Sequence, residues 1–145
     1  MDAEIKEFIQ KQKIATICCV DEQGNPYCFT CFYAFNLQHC LLIFKSSATS
    51  RHIKLLLERQ QVSGTILSGK MSAFPVKGIQ FSGALWEPTT HVLDAAMEYY
   101  KKFPLALTLS GEIFLVKLEG IKMTNSQKIL GKKIVWQRDS SDIEY

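Results

Sequence analysis

Two apolar runs, Ile14 to Val20 and Tyr27 to Phe35, flank the segment Asp21-Glu22-Gln23-Gly24-Asn25-Pro26, and this arrangement constrains the chain more than any other feature. A cluster of Asp, Gly, Asn and Pro between two β-type runs is a strong turn signal, so the runs return alongside each other as an antiparallel hairpin. The second run carries Tyr27, Phe29, Phe32, Tyr33 and Phe35 and is aromatic on both faces. The pattern then recurs. Asn36 to His39 reads as a turn and Leu41 to Lys45 as a third strand, followed by β-type runs at Val62 to Ser68, Ile79 to Trp86, Glu112 to Leu118 and Ile134 to Trp136. Ile121 to Met123 extends the Glu112 strand.

Helical spacing occurs in three places. Asp2 to about Gln12 places Ile5, Phe8 and Ile9 on one face, with acids leading and lysines closing, as the helix dipole prefers. Arg51 to Gln60 reads as a helix through Ile53, Leu56 and Leu57. The third follows Pro88, is capped by Thr89 or Thr90 and runs to about Lys102. No repeat, low-complexity tract or linker divides residues 1–145, so a single domain is expected. The element order predicts an α+β protein: a mainly antiparallel, six- to seven-stranded split β-barrel with about three helices.

Composition narrows the function classes. A net charge of +3 on 145 residues is too weak to argue for nucleic acid or a membrane surface, although it permits a local anion site. No apolar run approaches the roughly 20 residues of a membrane span. The five cysteines, Cys18, Cys19, Cys28, Cys31 and Cys40, are odd in number, and the N-terminus is acidic and amphipathic. Free thiols in a reducing, cytoplasmic compartment are the expectation.

The chemistry concentrates in Phe44-Lys45-Ser46-Ser47-Ala48-Thr49-Ser50-Arg51-His52. A strand ends, hydroxyls follow, and a helix begins with two basic residues, its only acid being Glu58 near the end. Helix starts favour acids because their unpaired N–H groups carry partial positive charge. A reversed order costs a few tenths to about 1 kcal/mol unless an anion sits there. Hydroxyls, backbone N–H groups, Lys45 and Arg51 would form a phosphate cradle. A solvated arginine with a serine cap is the alternative on composition alone.

Other candidates carry less. Cys28 and Cys31 lie three apart on a strand, so they face opposite sides roughly 10 Å apart and neither chelate one metal nor pair with each other. No metal site is expected. His39 falls in a turn and His91 opens a helix, with no nucleophile elbow near either, so no catalytic residue is nominated. The aromatic strand would stack single-stranded nucleic acid if exposed, but burial in a barrel or dimer contact fits its few basic neighbours better. Ile134, Val135 and Trp136 need a surface to bury against, which a neighbouring subunit would supply, whereas Arg138 reads by default as part of a solvated tail.

On these residues the chain resembles the pyridoxamine 5'-phosphate oxidase-like, FMN-binding split barrels, and looks most similar to a small bacterial branch of them. The likeness runs through nearly all of the element order and is sharpest from Phe44 to His52. It implies FMN, or another phosphate-bearing flavin or deazaflavin, with Lys45, Ser46, Arg51 and His52 on the phosphate and Ser50 capping. His52 stands where the family usually has Lys. The resemblance also implies that Phe29, Thr30 and Cys31 lie beside the isoalloxazine ring, that Gln80 approaches it, and that Trp136 reaches it from the partner subunit of a homodimer. The true oxidase ends in an Arg-x-His segment that grips its substrate; here the tail reads Trp136-Gln137-Arg138-Asp139-Ser140-Ser141, which argues against vitamin B6 oxidation. The C-terminal histidines of the haem-degrading relatives are also missing, since no His follows His91. The implied function is a flavin-dependent oxidoreductase acting on a small molecule. A non-enzymatic flavin or small-ligand binding module and, last, a single-stranded nucleic-acid-binding barrel stay open as alternatives.

Overall fold

The structure, a computed structural model, describes residues 1–69, 76–87, 92–126 and 132–139. Its strands are β1 (Ile14–Val20), β2 (Pro26–Asn36), β3 (Leu41–Ser46), β4 (Gln61–Leu67), β5 (Lys77–Trp86), β6 (Glu112–Asn125) and β7 (Lys132–Gln137). Its helices are α1 (Ala3–Lys11), α2 (Arg51–Glu58) and α3 (Val92–Lys102), with a 3-10 turn at Pro104–Thr108 that the sequence reading did not anticipate. The strands run in the order β3-β2-β1-β4-β5-β6-β7, all antiparallel, and β3 also pairs with β6. That extra pairing closes six strands into a ring and leaves β7 as an added strand. β6 is long enough to serve both: Glu112 to Lys117 pair with β3, and Gly120 to Asn125 pair with β7. The expected α+β split barrel is the observed fold.

The core follows from strand alternation. Ala15, Ile17 and Cys19 of β1, Tyr33 and Phe35 of β2, and Leu42 and Phe44 of β3 point inward and join one buried cluster. Gly64 and Gly83 sit where strands close up: a Cβ on Gly64 would overlap the Phe81 ring and the Thr16 carbonyl, and one on Gly83 would meet the Lys117 carbonyl beside a break in the β5–β6 register. α1 closes one end of the barrel. Asp2 accepts a hydrogen bond from the Glu4 amide at 2.8 Å to cap it, Ile5, Phe8 and Ile9 are buried, and the Tyr33 hydroxyl donates to the Ile9 carbonyl at 2.6 Å. α2 covers the other end with Ile53, Leu55 and Leu56. α3 lies outside, where Ala95 and Tyr99 pack on the outward residues Ala34, Leu41, Ile43 and Leu115.

Three expectations are corrected here. In α2 the third buried residue is Leu55, and Leu57 is exposed. That helix stops at Glu58 because Arg59 turns extended and the Gln60 carbonyl accepts from the Leu85 amide at 2.8 Å. Cys18 and Cys28, expected as free thiols, form a disulfide across β1 and β2. Strand spacing keeps Cys28 from Cys31, whereas the hairpin register places Cys18 directly opposite Cys28. The capping residues Thr89 and Thr90, together with His91, lie outside the described residues. Among the described residues, no helix is long and apolar enough to cross a membrane.

Candidate functional site

The segment singled out in the sequence joins β3 to α2. Ser46 is the last residue of β3 and points to the same side as Phe44, toward α2. His52 turns back from the first turn of the helix, and its Nε2 lies 2.7 Å from Ser46 Oγ and 3.2 Å from Ser50 Oγ. Its ring stacks on Phe29 with centroids 4.0 Å apart and planes tilted by 15°. Burial against Phe29 lowers the His52 pKa below the ordinary histidine value, so the neutral ring is favoured. Ser50 occupies the N-cap position, but its side chain makes no capping bond to the helix; the hydroxyl donates instead to the Ser47 carbonyl at 2.7 Å. No acid stands in the first turn of α2. Two hydroxyls, an imidazole and an uncapped helix start therefore converge, a donor set suited to an anion.

Arg51 stands beside this group at the surface. Its guanidinium meets the Glu22 carboxylate at 3.2 Å and lies over the Tyr27 ring at 5.4 Å. Both partners of that ion pair are about half exposed, at 53% and 50%. At the other end of α2, Arg59 donates to the Asp21 carbonyl at 2.8 Å. The β1–β2 turn thus holds the helix at both ends, a role for Glu22 and Asp21 that sequence spacing did not reveal.

The structure does not bring every expected residue together. Lys45 departs from the cradle. It follows Leu41 and Ile43 on the outward face of β3, where its Nζ donates to the carbonyls of Ala106 (2.8 Å) and Leu109 (2.6 Å) and lies 4.9 Å from the Tyr100 ring. Strand alternation forces this, because Lys45 and Ser46 are neighbours and must face opposite ways. Thr30 likewise faces outward and is exposed, opposite Thr16, while its neighbours Phe29 and Cys31 pack toward the core. Gln80 lies on the exposed face of β5, between Thr65 and Lys122.

Trp136 of β7 borders two cavities. One, of about 300 Å³, is shared with Gln80 and Ser82. The other, of about 410 Å³, gathers Lys6, His39, Lys117 and Arg138 around Trp86 and Trp136, and no carboxylate lines it among the described residues. Arg138 is no solvated tail. Its Nε donates to the Leu118 carbonyl at 2.8 Å and its Nη2 to the His39 carbonyl at 3.0 Å, tying β7 to the β2–β3 turn. The signal for this was the Ile134-Val135-Trp136 run just before it, which already required that end of the chain to be packed.

No family model matches this chain. The UPF0306 protein YhbP of Shigella sonnei is 29% identical over 137 residues, which cover 94% of this chain and 92% of that protein. Among solved structures, a heme binding protein from Mycobacterium smegmatis superposes on 94% of this chain with a TM-score of 0.78 at 12% identity, and the chain spans 59% of that protein's length. A pyridoxamine 5'-phosphate oxidase-related, FMN binding protein from Nostoc punctiforme superposes on 90% of this chain, and 83% of its own, with a TM-score of 0.65 at 11% identity. The resemblance read from the sequence therefore holds at the level of fold: this chain has the split-barrel architecture of these solved structures and is similar along nearly its whole length to the UPF0306 protein YhbP.

Proposed function

We propose that this protein binds FMN as a homodimer and acts as a flavin-dependent oxidoreductase on a small molecule. One observation carries the reading: Ser46, Ser50 and His52 converge on an α2 start that has neither an acid nor a side-chain cap. A dianionic phosphate there would accept from the hydroxyls and the first-turn amides, and would recruit Arg51 from its exposed pair with Glu22. Lys45 is left out of this set, because its ammonium is committed to the 3-10 turn. Thr30, Gln80 and Trp136 would border the flavin ring in the assembled dimer, with Trp136 supplied by the partner. Bound flavin supplies the electron transfer, and the chain's own residues bind and orient it.

Titration of the purified protein with FMN, followed by visible absorbance and flavin fluorescence, tests this directly. Saturable binding with a perturbed flavin spectrum is expected; a colourless protein that leaves the FMN spectrum unchanged at every ratio sinks the reading. The second reading, a binding module without turnover, is supported by the fold's use in both a heme binding and an FMN binding protein. Bound flavin that neither NADH nor NADPH reduces would favour it. The nucleic-acid reading has little left to stand on: of the β2 aromatics, Tyr33 and Phe35 are buried, Tyr27 and Phe29 are half-buried, and only Phe32 is exposed.

A further inference from the structure

The five cysteines divide into two chemical groups. Cys19, Cys31 and Cys40 are thiols outside any disulfide, and Cys19 and Cys31 pack into the core. Cys19 is buried, and its Sγ donates to the Tyr27 carbonyl at 3.3 Å. Cys31 packs against the core, and burial pushes its pKa up to about 12. Cys40 is half-buried, with its Sγ 3.6 Å from the Leu37 carbonyl. A buried thiol of raised pKa holds little thiolate and reacts slowly. Cys18 and Cys28 differ from all three: they are joined on the outward face of the barrel, and Cys28 is exposed.

The fold does not depend on that bond to position its strands. Seven consecutive pairs, Ile14↔Phe32 to Val20↔Pro26, hold β1 against β2. The turn between them is closed by the Asp21 amide donating to the Asn25 carbonyl at 2.8 Å, and by Asp21 Oδ1 accepting from the amides of Gln23 and Asn25. On its other edge β1 is paired with β4 through Thr16, Ile17 and Cys18. None of these pairings is made through the sulfur bridge. The register itself sets Cys18 opposite Cys28, with their Cα atoms 4.2 Å apart across the ladder.

We propose that Cys18 and Cys28 form a redox-active pair that exchanges two electrons with low-molecular-weight thiols. A thiolate of the small reductant attacks Cys28 Sγ, the exposed sulfur. The S–S bond breaks, and Cys18 leaves as a thiolate that takes a proton from water. A second thiolate then attacks the reductant's sulfur in the mixed disulfide and frees Cys28, which is protonated in turn. The small thiol ends oxidised to its disulfide, and the protein holds two thiols. The reverse sequence, with the small disulfide as oxidant, restores the bridge.

The test equilibrates the native full chain in buffers of varied reduced-to-oxidised glutathione ratio, quenches with acid, alkylates, and maps the labelled peptides by mass spectrometry. Cys18 and Cys28 are expected to gain labels together as the ratio rises, with the circular dichroism spectrum unchanged. Cys19 and Cys31 should stay unlabelled when the alkylating agent is added to the native protein. In Cys18→Ser, loss of the resolving sulfur should trap a glutathione adduct on Cys28. A pair that resists excess dithiothreitol until the protein is denatured overturns the proposal, as does a pair that stays fully alkylatable in oxidised glutathione. Absence of the adduct in Cys18→Ser refutes attack at Cys28.

Discussion

Arg51 serves two partners in this reading, and the competition between them is measurable. Its pair with Glu22 is half exposed on both sides, where such pairs contribute little to stability. Arg51→Ala is therefore expected to leave the denaturation midpoint nearly unchanged while weakening FMN binding by about 1–3 kcal/mol, the range for a hydrogen bond to a charged group. Glu22→Gln should move affinity the other way, because it releases the guanidinium without removing it. Equal affinities across wild type and both variants would take Arg51 out of the site. His52 gives a pH signature. Burial depresses its pKa, so the folded protein favours the neutral ring, and the stability this contributes is present above the ordinary value of about 6.5 and lost as pH falls through the lowered one. A bound phosphate favours the imidazolium, so binding takes up a proton and affinity should rise as pH is lowered from about 8 toward 6.5. His52→Gln should flatten that slope in fluorescence titrations across the same range.

Elements were more legible in the sequence than contacts, for reasons visible in particular segments. β1 was read with its observed ends because Gln12 and Lys13 precede its apolar run and Asp21 follows it. The extension of the Glu112 strand by Ile121 to Met123 is seen in β6, which runs unbroken from Glu112 to Asn125 because its neighbours supply partners on both sides of Gly120. Lys45 adjoins Ser46 in sequence but not in space, because the two-residue period of a strand turns neighbours to opposite faces. Same-strand spacing says nothing of Cys18 and Cys28, whose pairing follows from the cross-strand register that the turn at Asp21 to Asn25 sets. Gly64 shows a constraint that no periodicity reveals. Its Cβ position is taken by the Phe81 ring and the Thr16 carbonyl, so β1, β4 and β5 pack through it. Gly64→Ala is expected to cost about 1–3 kcal/mol by overpacking. Urea denaturation checks this, and a midpoint equal to wild type would show that the strands there yield freely.

At the scale of the molecule, one face of the barrel lacks the features that keep a sheet surface solvent-facing. Thr30, Thr16, Thr65 and Gln80 form a row across β2, β1, β4 and β5, with no charge until Lys122 on β6. Toward the α1 end the face becomes apolar, with Phe32 55% exposed opposite Ile14 at 49%, and Leu67 on β4 at 65%. An uncharged surface four strands wide, carrying exposed large side chains, is where the homodimer proposed above would form its contact. The two-fold pairing most common among homo-oligomers would place a second copy of the same face on it. The rival surface is the 3-10 turn, where Leu105 and Leu107 are exposed, but five residues offer far less area than four strands. Light scattering on the eluting protein should accordingly give the mass of two chains. Leu67→Arg, which sets a charge in the sheet face, should shift that mass toward one chain, whereas Leu105→Arg should not. Because the flavin reading draws Trp136 from the partner, Leu67→Arg should also weaken FMN binding although Leu67 is no part of the phosphate cradle. If Leu105→Arg dissociates the protein and Leu67→Arg does not, the dimer forms through the other surface, and Thr30 and Gln80 lose their place beside the ring.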